Sequence, residues 1–213
     1  MYLDSELNIT DPFLVSAALR YENYSDFGST FNWKVASRYL INDKLSVRGS
    51  VSTGFRAPSL AQIHYNLIFN SFVAGESLPS LLSSNTSAVT RAFGIGPLQE
   101  EASFNASVGF TLALGAFTAT IDGYSISVDD RIILTDNFDA SGLGLGVDVA
   151  QFFANGVDTK TQGVDIVLGY TKVFNNSKLS LSLAGNINDL TIEEIHNGDL
   201  NQFTFFGPFS QAY

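Results

Sequence analysis

The sequence predicts an all-β fold: the wall of an antiparallel up-and-down transmembrane β-barrel, about seven strands of it. Three observations lead there. Seven stretches alternate apolar and polar residues, and side chains on alternate faces give each such strand one greasy side. The connections alternate between short and long, as in outer-membrane barrels, whose short turns are periplasmic and whose long loops are extracellular. The 213 residues are 45% hydrophobic and 15% charged, yet no run approaches the roughly 18 unbroken apolar residues of a membrane helix. A barrel wall needs that combination, because only every second residue meets lipid.

The elements follow in order. Asn8 to Pro12 reads as a turn. A strand from about Phe13 to Tyr24 sets Phe13, Val15, Ala17, Leu19 and Tyr21 against Ser16, Ala18, Arg20 and Glu22. Ser25–Ser29 is a short loop. The next strand, about Phe31 to Ile41, sets Trp33, Val35, Tyr39 and Ile41 against Lys34, Ala36 and Arg38. Asn42-Asp43-Lys44 is a tight turn of strong turn formers. The clearest strand runs from Leu45 to Arg56, with Leu45, Val47, Val51 and Phe55 on one face and Ser46, Arg48, Ser50 and Arg56 on the other.

A long excursion, 57–101, follows, with Pro58, Pro79, Pro97 and a Ser/Asn-rich tract; so long a connection is usually functional or flexible. Alternation resumes from about Ala102 to Leu114, turns at Gly115, and continues from Phe117. There the apolar residues change phase at Gly123, so a bulge or a change of environment is expected. A second long loop spans 133–158. Strands at about Thr159–Thr171 and Lys178–Leu190, joined at Asn175-Asn176, complete the seven. Tyr21, Tyr24, Phe27, Phe31 and Trp33 gather near one loop end, as an interfacial aromatic girdle does; a phenylalanine-rich core would gather them too. The tail carries Phe203, Phe205, Phe206 and Phe209.

The formal net charge of −10 argues against nucleic acid as a partner, since phosphates demand a basic surface. The acids cluster between strands, at Asp129, Asp130, Asp136, Asp139, Asp148, Glu193, Glu194 and Asp199. No spacing resembles an EF-hand loop, so they read as solvated loop charges, and no metal ligand set or cofactor is assigned. The absence of cysteine removes thiol catalysis, disulfides and thiolate metal sites. His64 and His196 stand far apart with no paired motif, so no catalytic set assembles and the chain does not read as an enzyme. Met1-Tyr2-Leu3-Asp4 lacks the basic and apolar regions of a signal peptide, so the chain is expected to be either a soluble protein or an internal piece of a longer outer-membrane one.

Ser50-Val51-Ser52-Thr53-Gly54-Phe55-Arg56-Ala57-Pro58-Ser59-Leu60 resembles the late-barrel box of TonB-dependent outer-membrane receptors. The family motif falls on Gly54, Phe55, Arg56, Ala57 and Pro58. Upstream, Arg20 to Gly28 is similar to the preceding hairpin of that family. Downstream, Asp122-Gly123-Tyr124 with Asp130-Arg131-Ile132 resembles its strand-to-loop exit, and Asn155-Gly156 through Gly163-Val164-Asp165 its next strand entry. The resemblance implies residues 1–213 as part of a barrel of about 22 strands, without its plug domain and closing strands. It implies extracellular loops at 57–101 and 133–158. It also implies a multi-pass location in the outer membrane of a Gram-negative bacterium. Haem-receptor members carry a histidine after the box and then an Asn-Pro-Asn-Leu box; here His64 follows, but Gly96-Pro97-Leu98-Gln99 stands in the second place.

The function this implies is energy-coupled uptake of a scarce solute of the iron-siderophore, haem, cobalamin or oligosaccharide class. The partners are outer-membrane lipid, the protein's own plug domain, an inner-membrane energy-coupling protein and a small siderophore-like ligand. From the residues alone, Arg20, Glu22, Lys34, Arg38 and Arg48 face inward, since charge on the lipid side costs about 2–4 kcal/mol at the midplane. His64, Tyr65, Phe69, Phe72 and Arg91 in the first long loop are the ligand-contact candidates. A passive porin-like barrel and a soluble β-sandwich carbohydrate-binding protein or adhesin are the alternatives.

Overall fold

A strand absent from the sequence reading opens the fold. The computed structural model describes residues 1–25, 28–73, 75–144 and 146–196. β1 (Tyr2–Thr10) pairs antiparallel with β2 (Phe13–Tyr24) from Tyr2↔Arg20 to Thr10↔Phe13, with a register shift between Asn8 and Thr10. The turn is therefore shorter than Asn8–Pro12. β3 (Gly28–Asn42) and β4 (Leu45–Arg56) follow. β2 and β4 have the bounds that the alternation predicts. β3 begins at Gly28, whose φ of +100° makes a reversal that a side chain would strain. The Asn42 carboxamide oxygen accepts from the Lys44 and Leu45 amides at 2.9 and 3.0 Å, which is why this sequence turns tightly there.

The first excursion is not structureless. It holds α1 (Leu60–His64), β5 (Leu67–Val73), β6 (Glu76–Ser83) and α2 (Ala88–Ala92). Then come β7 (Glu101–Leu114), β8 (Phe117–Leu134), the two-residue β9 (Phe138–Asp139), a 3₁₀ turn at Ser141–Leu143, β10 (Val149–Val173) and β11 (Lys178–Ile195). β8 runs unbroken through Gly123. Asp122, Tyr124 and Ile126 line one groove together, so the strand keeps its period and only the polarity of its faces changes.

The chain divides into two units. The first, here the wall unit, comprises Met1–Phe55, Ala102–Val128 and Thr159–Thr191. Its strands lie in the order β1-β2-β3-β4-β7-β8-β10, with β11 against β10. That makes eight wall strands, one more than the seven expected. The sheet is open. Its apolar side chains are left bare: Val35, Val51, Val108 and Leu181 are exposed, the last two by more than half.

The second, the loop unit, comprises Arg56–Glu101, Asp129–Asp158 and Ile192–Tyr213, of which the residues past 196, including the phenylalanine-rich tail, lie outside the described ones. Here β5 and β6 form an antiparallel hairpin, Leu67↔Leu82 to Val73↔Glu76. β6 runs parallel to the start of β10, Val149↔Ser80 to Phe152↔Ser83, and β9 adds two antiparallel pairs. This unit has a closed core. Phe152 and Ala150 are fully buried, with Leu81, Ile95, Phe138 and Val147 around them. The rings of Phe93, Phe138 and Phe152 form a triangle with centroids 5.0–5.7 Å apart, in tilted arrangements that aromatic rings favour. Asn85 is its polar hub: its Nδ2 donates to the Gly96 carbonyl at 3.0 Å and its Oδ1 accepts from the Leu98 amide at 3.0 Å.

Candidate functional site

The wall unit carries a groove of about 720 Å³, lined among others by Lys34, Arg38, Arg48, Asp122, Tyr124 and Asp165. Three of the five predicted inward charges thus share one face. Arg48 is tied down: its Nε and Nη2 donate to Asp122 Oδ1 and Oδ2 at 2.9 and 2.6 Å, a bidentate fork. The strand between them permits it. A methyl group at Gly109 would lie 1.9 Å from Asp122 Oδ1, so only glycine leaves room for the carboxylate to cross β7. Tyr124 is placed in the same way, its ring lying over Gly163. Asn186 Nδ2 donates to the Tyr124 hydroxyl at 2.9 Å and to Asp165 Oδ1 at 2.6 Å. The remaining predicted pair, Arg20 and Glu22, bond each other along β2 at 2.7 Å, on a surface where solvent screening leaves such a bridge worth little.

The Gly54–Pro58 box does local work. A methyl at Gly54 would crowd Ser103 Oγ at 2.9 Å. Phe55 meets Tyr24 edge-on, centroids 5.8 Å apart. In the loop unit, Arg56 grips Glu101, the first residue of β7, through Nε at 2.7 Å and through Nη2. Glu101 Oε1 also accepts from the Ile132 amide at 2.7 Å. Pro58 is buried and Ser59 caps α1, with Gln62 returning the bond in a reciprocal capping box. Burial opposes the charge on Glu101, but Arg56 and the Ile132 amide outweigh it and hold its carboxyl below the usual carboxylate range. Glu101 lies at the end of β7 away from the tight turn, beyond the about 9–11 residues that a spanning strand uses.

The five loop candidates do not converge, since no hydrogen bond or ring contact joins them among the described residues. His64 ends α1 and is exposed, and Tyr65 beside it is half exposed. Phe69 and Phe72 sit on opposite faces of β5; Phe72 is 81% exposed and Phe69 is half-buried. Arg91 points inward to its own unit, donating to the Ile95 carbonyl and, at 3.5 Å, to Asn85. It closes α2, a structural role.

A cluster the sequence reading did not single out lies at the outer ends of β8, β10 and β11. His196 Nε2 is 3.1 Å from Asp158 Oδ2, and its Nδ1 is 3.4 Å from Asp130 Oδ1. Asp130 has φ +55°, the one positive φ outside glycine among the described residues. Its amide donates to Asp158 Oδ1 at 2.8 Å, and its carbonyl accepts from Asn155 Nδ2 at 2.6 Å. Burial, then Asp158, Asp130 and Glu193, push the neighbouring Asp129 carboxyl up. Asp130 belongs to the quoted strand-exit segment, and Asn155 and Asp158 both lie within the quoted strand-entry segment. Nothing local in the sequence announces that they meet.

The comparisons agree with this architecture. Residues 1–205 match the family model described as TonB dependent receptor-like, beta-barrel. A probable TonB-dependent siderophore receptor, PirA, of Acinetobacter baumannii is 23% identical over 132 residues, 62% of this chain and 17% of that protein. The vitamin B12 transporter BtuB of Vibrio vulnificus is 23% identical over 155 residues, 69% of this chain and 21% of that one. The chain thus spans about a fifth of the length of these relatives. Among solved structures, the siderophore receptor PirA from Pseudomonas aeruginosa superposes with TM-score 0.66 at 15% identity, covering 88% of this chain and 33% of its own. The RagAB peptide transporter gives 0.66 at 19% identity, covering 92% and 22%; both likenesses show the fold. No helix among the described residues is long and apolar enough to cross a membrane, and this family crosses the outer membrane with strands. By the match over residues 1–205, the chain belongs to the TonB-dependent receptor-like β-barrel family.

Proposed function

We propose that the chain is part of an outer-membrane receptor that takes up a scarce solute with energy supplied from the inner membrane, and that it is not an enzyme. One observation carries this reading: the wall strands have two opposed faces. One bears Lys34, Arg38 and the Arg48–Asp122 pair along a groove; the other leaves Val51, Val108 and Leu181 bare. Lipid suits the second face and a polar lumen the first. A plug domain supplied by the rest of the protein fills that lumen and pairs with Lys34 and Arg38. Residues 57–101 and 133–158 lie on the extracellular side, and Tyr65 and Phe72 are the aromatic loop groups best exposed to meet ligand. The solute belongs to a class that relatives handle: a siderophore, a cobalamin or a peptide.

The test uses cells that express the full-length protein and a panel of labelled ferric siderophores, cobalamin and short peptides. One class should accumulate, and an uncoupler that collapses the proton-motive force should stop it. Accumulation that persists with the uncoupler would instead support a passive porin-like barrel. In the same assay Tyr65→Ala with Phe72→Ala should raise the half-saturating concentration about tenfold without lowering the amount of receptor in the membrane, the scale of losing anchor residues from a binding site.

A further inference from the structure

We propose that His196 and Asp130, oriented by Asp158, form a divalent-cation site that ties together the loop ends of β8, β10 and β11. The three side chains each offer a donor atom within 4.8 Å of the others, and all three belong to the loop unit. The backbone around them is fixed before any ion arrives. The His196 amide donates to the Gly156 carbonyl at 2.8 Å. The Asp130 amide is held by Asp158 and its carbonyl by Asn155.

The two contacts of the imidazole differ. At 3.1 Å, Nε2 and Asp158 Oδ2 are within hydrogen-bond reach; an ionised carboxylate can only accept, so the ring proton is assigned to Nε2. Nδ1 is 3.4 Å from Asp130 Oδ1, beyond the range of an N–H···O bond. In the neutral ring Nδ1 is then a lone pair facing a carboxylate oxygen, and two electron-rich atoms repel unless a cation lies between them. Two ligand atoms each bound at about 2.1 Å in tetrahedral geometry stand about 3.4 Å apart. The observed spacing is that of two ligands on one metal ion. Asp158 takes the part of the carboxylate that orients a metal-bound histidine through its other nitrogen. One imidazole and carboxylate oxygen suit a borderline divalent ion such as Zn²⁺, with water completing the shell.

The competing occupant is a proton on Nδ1, which makes an imidazolium ion pair and needs no metal. Titration of the full-length protein, purified in detergent, with Co²⁺, followed by visible absorption, separates the two. One Co²⁺ per chain should bind with the band of a nitrogen/oxygen site, and Zn²⁺ should displace it. His196→Gln and Asp130→Asn should abolish the band, Asp158→Asn should weaken binding about tenfold or more, and His64→Gln should change nothing. Far-UV circular dichroism and protease resistance of the loop unit establish that each variant is folded. Resolved ¹⁵N shifts of the His196 ring give an independent reading: Zn²⁺ should move the Nδ1 resonance and leave Nε2 protonated. A folded wild-type chain that binds no Co²⁺, a folded His196→Gln variant that binds it as tightly, or a ring protonated on both nitrogens and indifferent to Zn²⁺ would each overturn the site.

Discussion

The wall and loop units solve opposite burial problems with similar residues. In the wall, Val108 and Leu181 are 54% and 58% exposed, and each strand hides little but its backbone. In the loop unit, Phe152 and Ala150 are fully buried in a core of their own. The wall relies on a solvent that accepts apolar side chains; the loop unit relies on itself. The two should therefore fail separately, under different substitutions.

The largest separation is expected from Phe152→Ala. Removing this fully buried corner of the Phe93–Phe138–Phe152 triangle should cost the loop unit about 3–5 kcal/mol. Hydrogen exchange on the full-length protein should show Leu81, Ile95 and Ala150 losing protection while β2 and β4 keep theirs. Loss in both units at once would mean that they are one cooperative body.

Charge on the wall comes next. Leu181→Arg should block membrane assembly, at about 2–4 kcal/mol in mid-bilayer, while Ser182→Arg on the other face should be tolerated. Heat-modifiable gel migration of the full-length protein reads this directly. Equal tolerance at both positions would remove lipid from the account of the wall.

Arg56→Ala acts in the loop unit. It leaves the Glu101 carboxylate with the Ile132 amide and the nearby charge of Arg131, and at about 1–3 kcal/mol it should loosen Glu101 and Ile132 to exchange. The linked pH effect has a definite sign. Glu101 has a depressed carboxyl in the fold, so its stabilisation is complete above the ordinary Glu range near about 4.3 and is lost as pH falls through the lower folded value. Arg56→Ala should weaken that acid sensitivity at Glu101.

The smallest effect sharpens the groove. Gly109→Ala should push Asp122 off Arg48 and free a third cation; the lost pair, whose arginine is half exposed, is worth less than about 1 kcal/mol. Anion binding to the groove should strengthen while the melting temperature hardly moves.

The same contrast explains what could be read from the sequence. β2 and β4 were legible to the residue because one of their faces is apolar and the other polar, with strong turn formers at their ends. The first ten residues of β10, from Val149 to Asp158, read as loop in the sequence. There Val149, Ala150, Phe152, Ala154 and Val157 are buried, and a strand covered on both sides loses its period. β6 was hidden by Pro79, which argues against a strand. β1 alternates at Leu3, Leu7 and Ile9 but breaks register near Asn8. The inward charges followed from period alone; the Asp130–Asp158–His196 cluster did not, because 28 and 38 residues separate its members and only strand topology brings them together.

The central claim is that the wall strands face lipid on one side and a polar lumen on the other. Because the chain has no cysteine, single spin-labelled cysteines can be placed along β4 from Ser46 to Phe55 without removing others from this segment. In the full-length protein reconstituted in liposomes, collision with lipid-dissolved oxygen should alternate: high at Val47, Val51 and Phe55, low at Ser46, Ser50 and Ser52. A flat profile, or oxygen access greatest at the serines, would contradict the account.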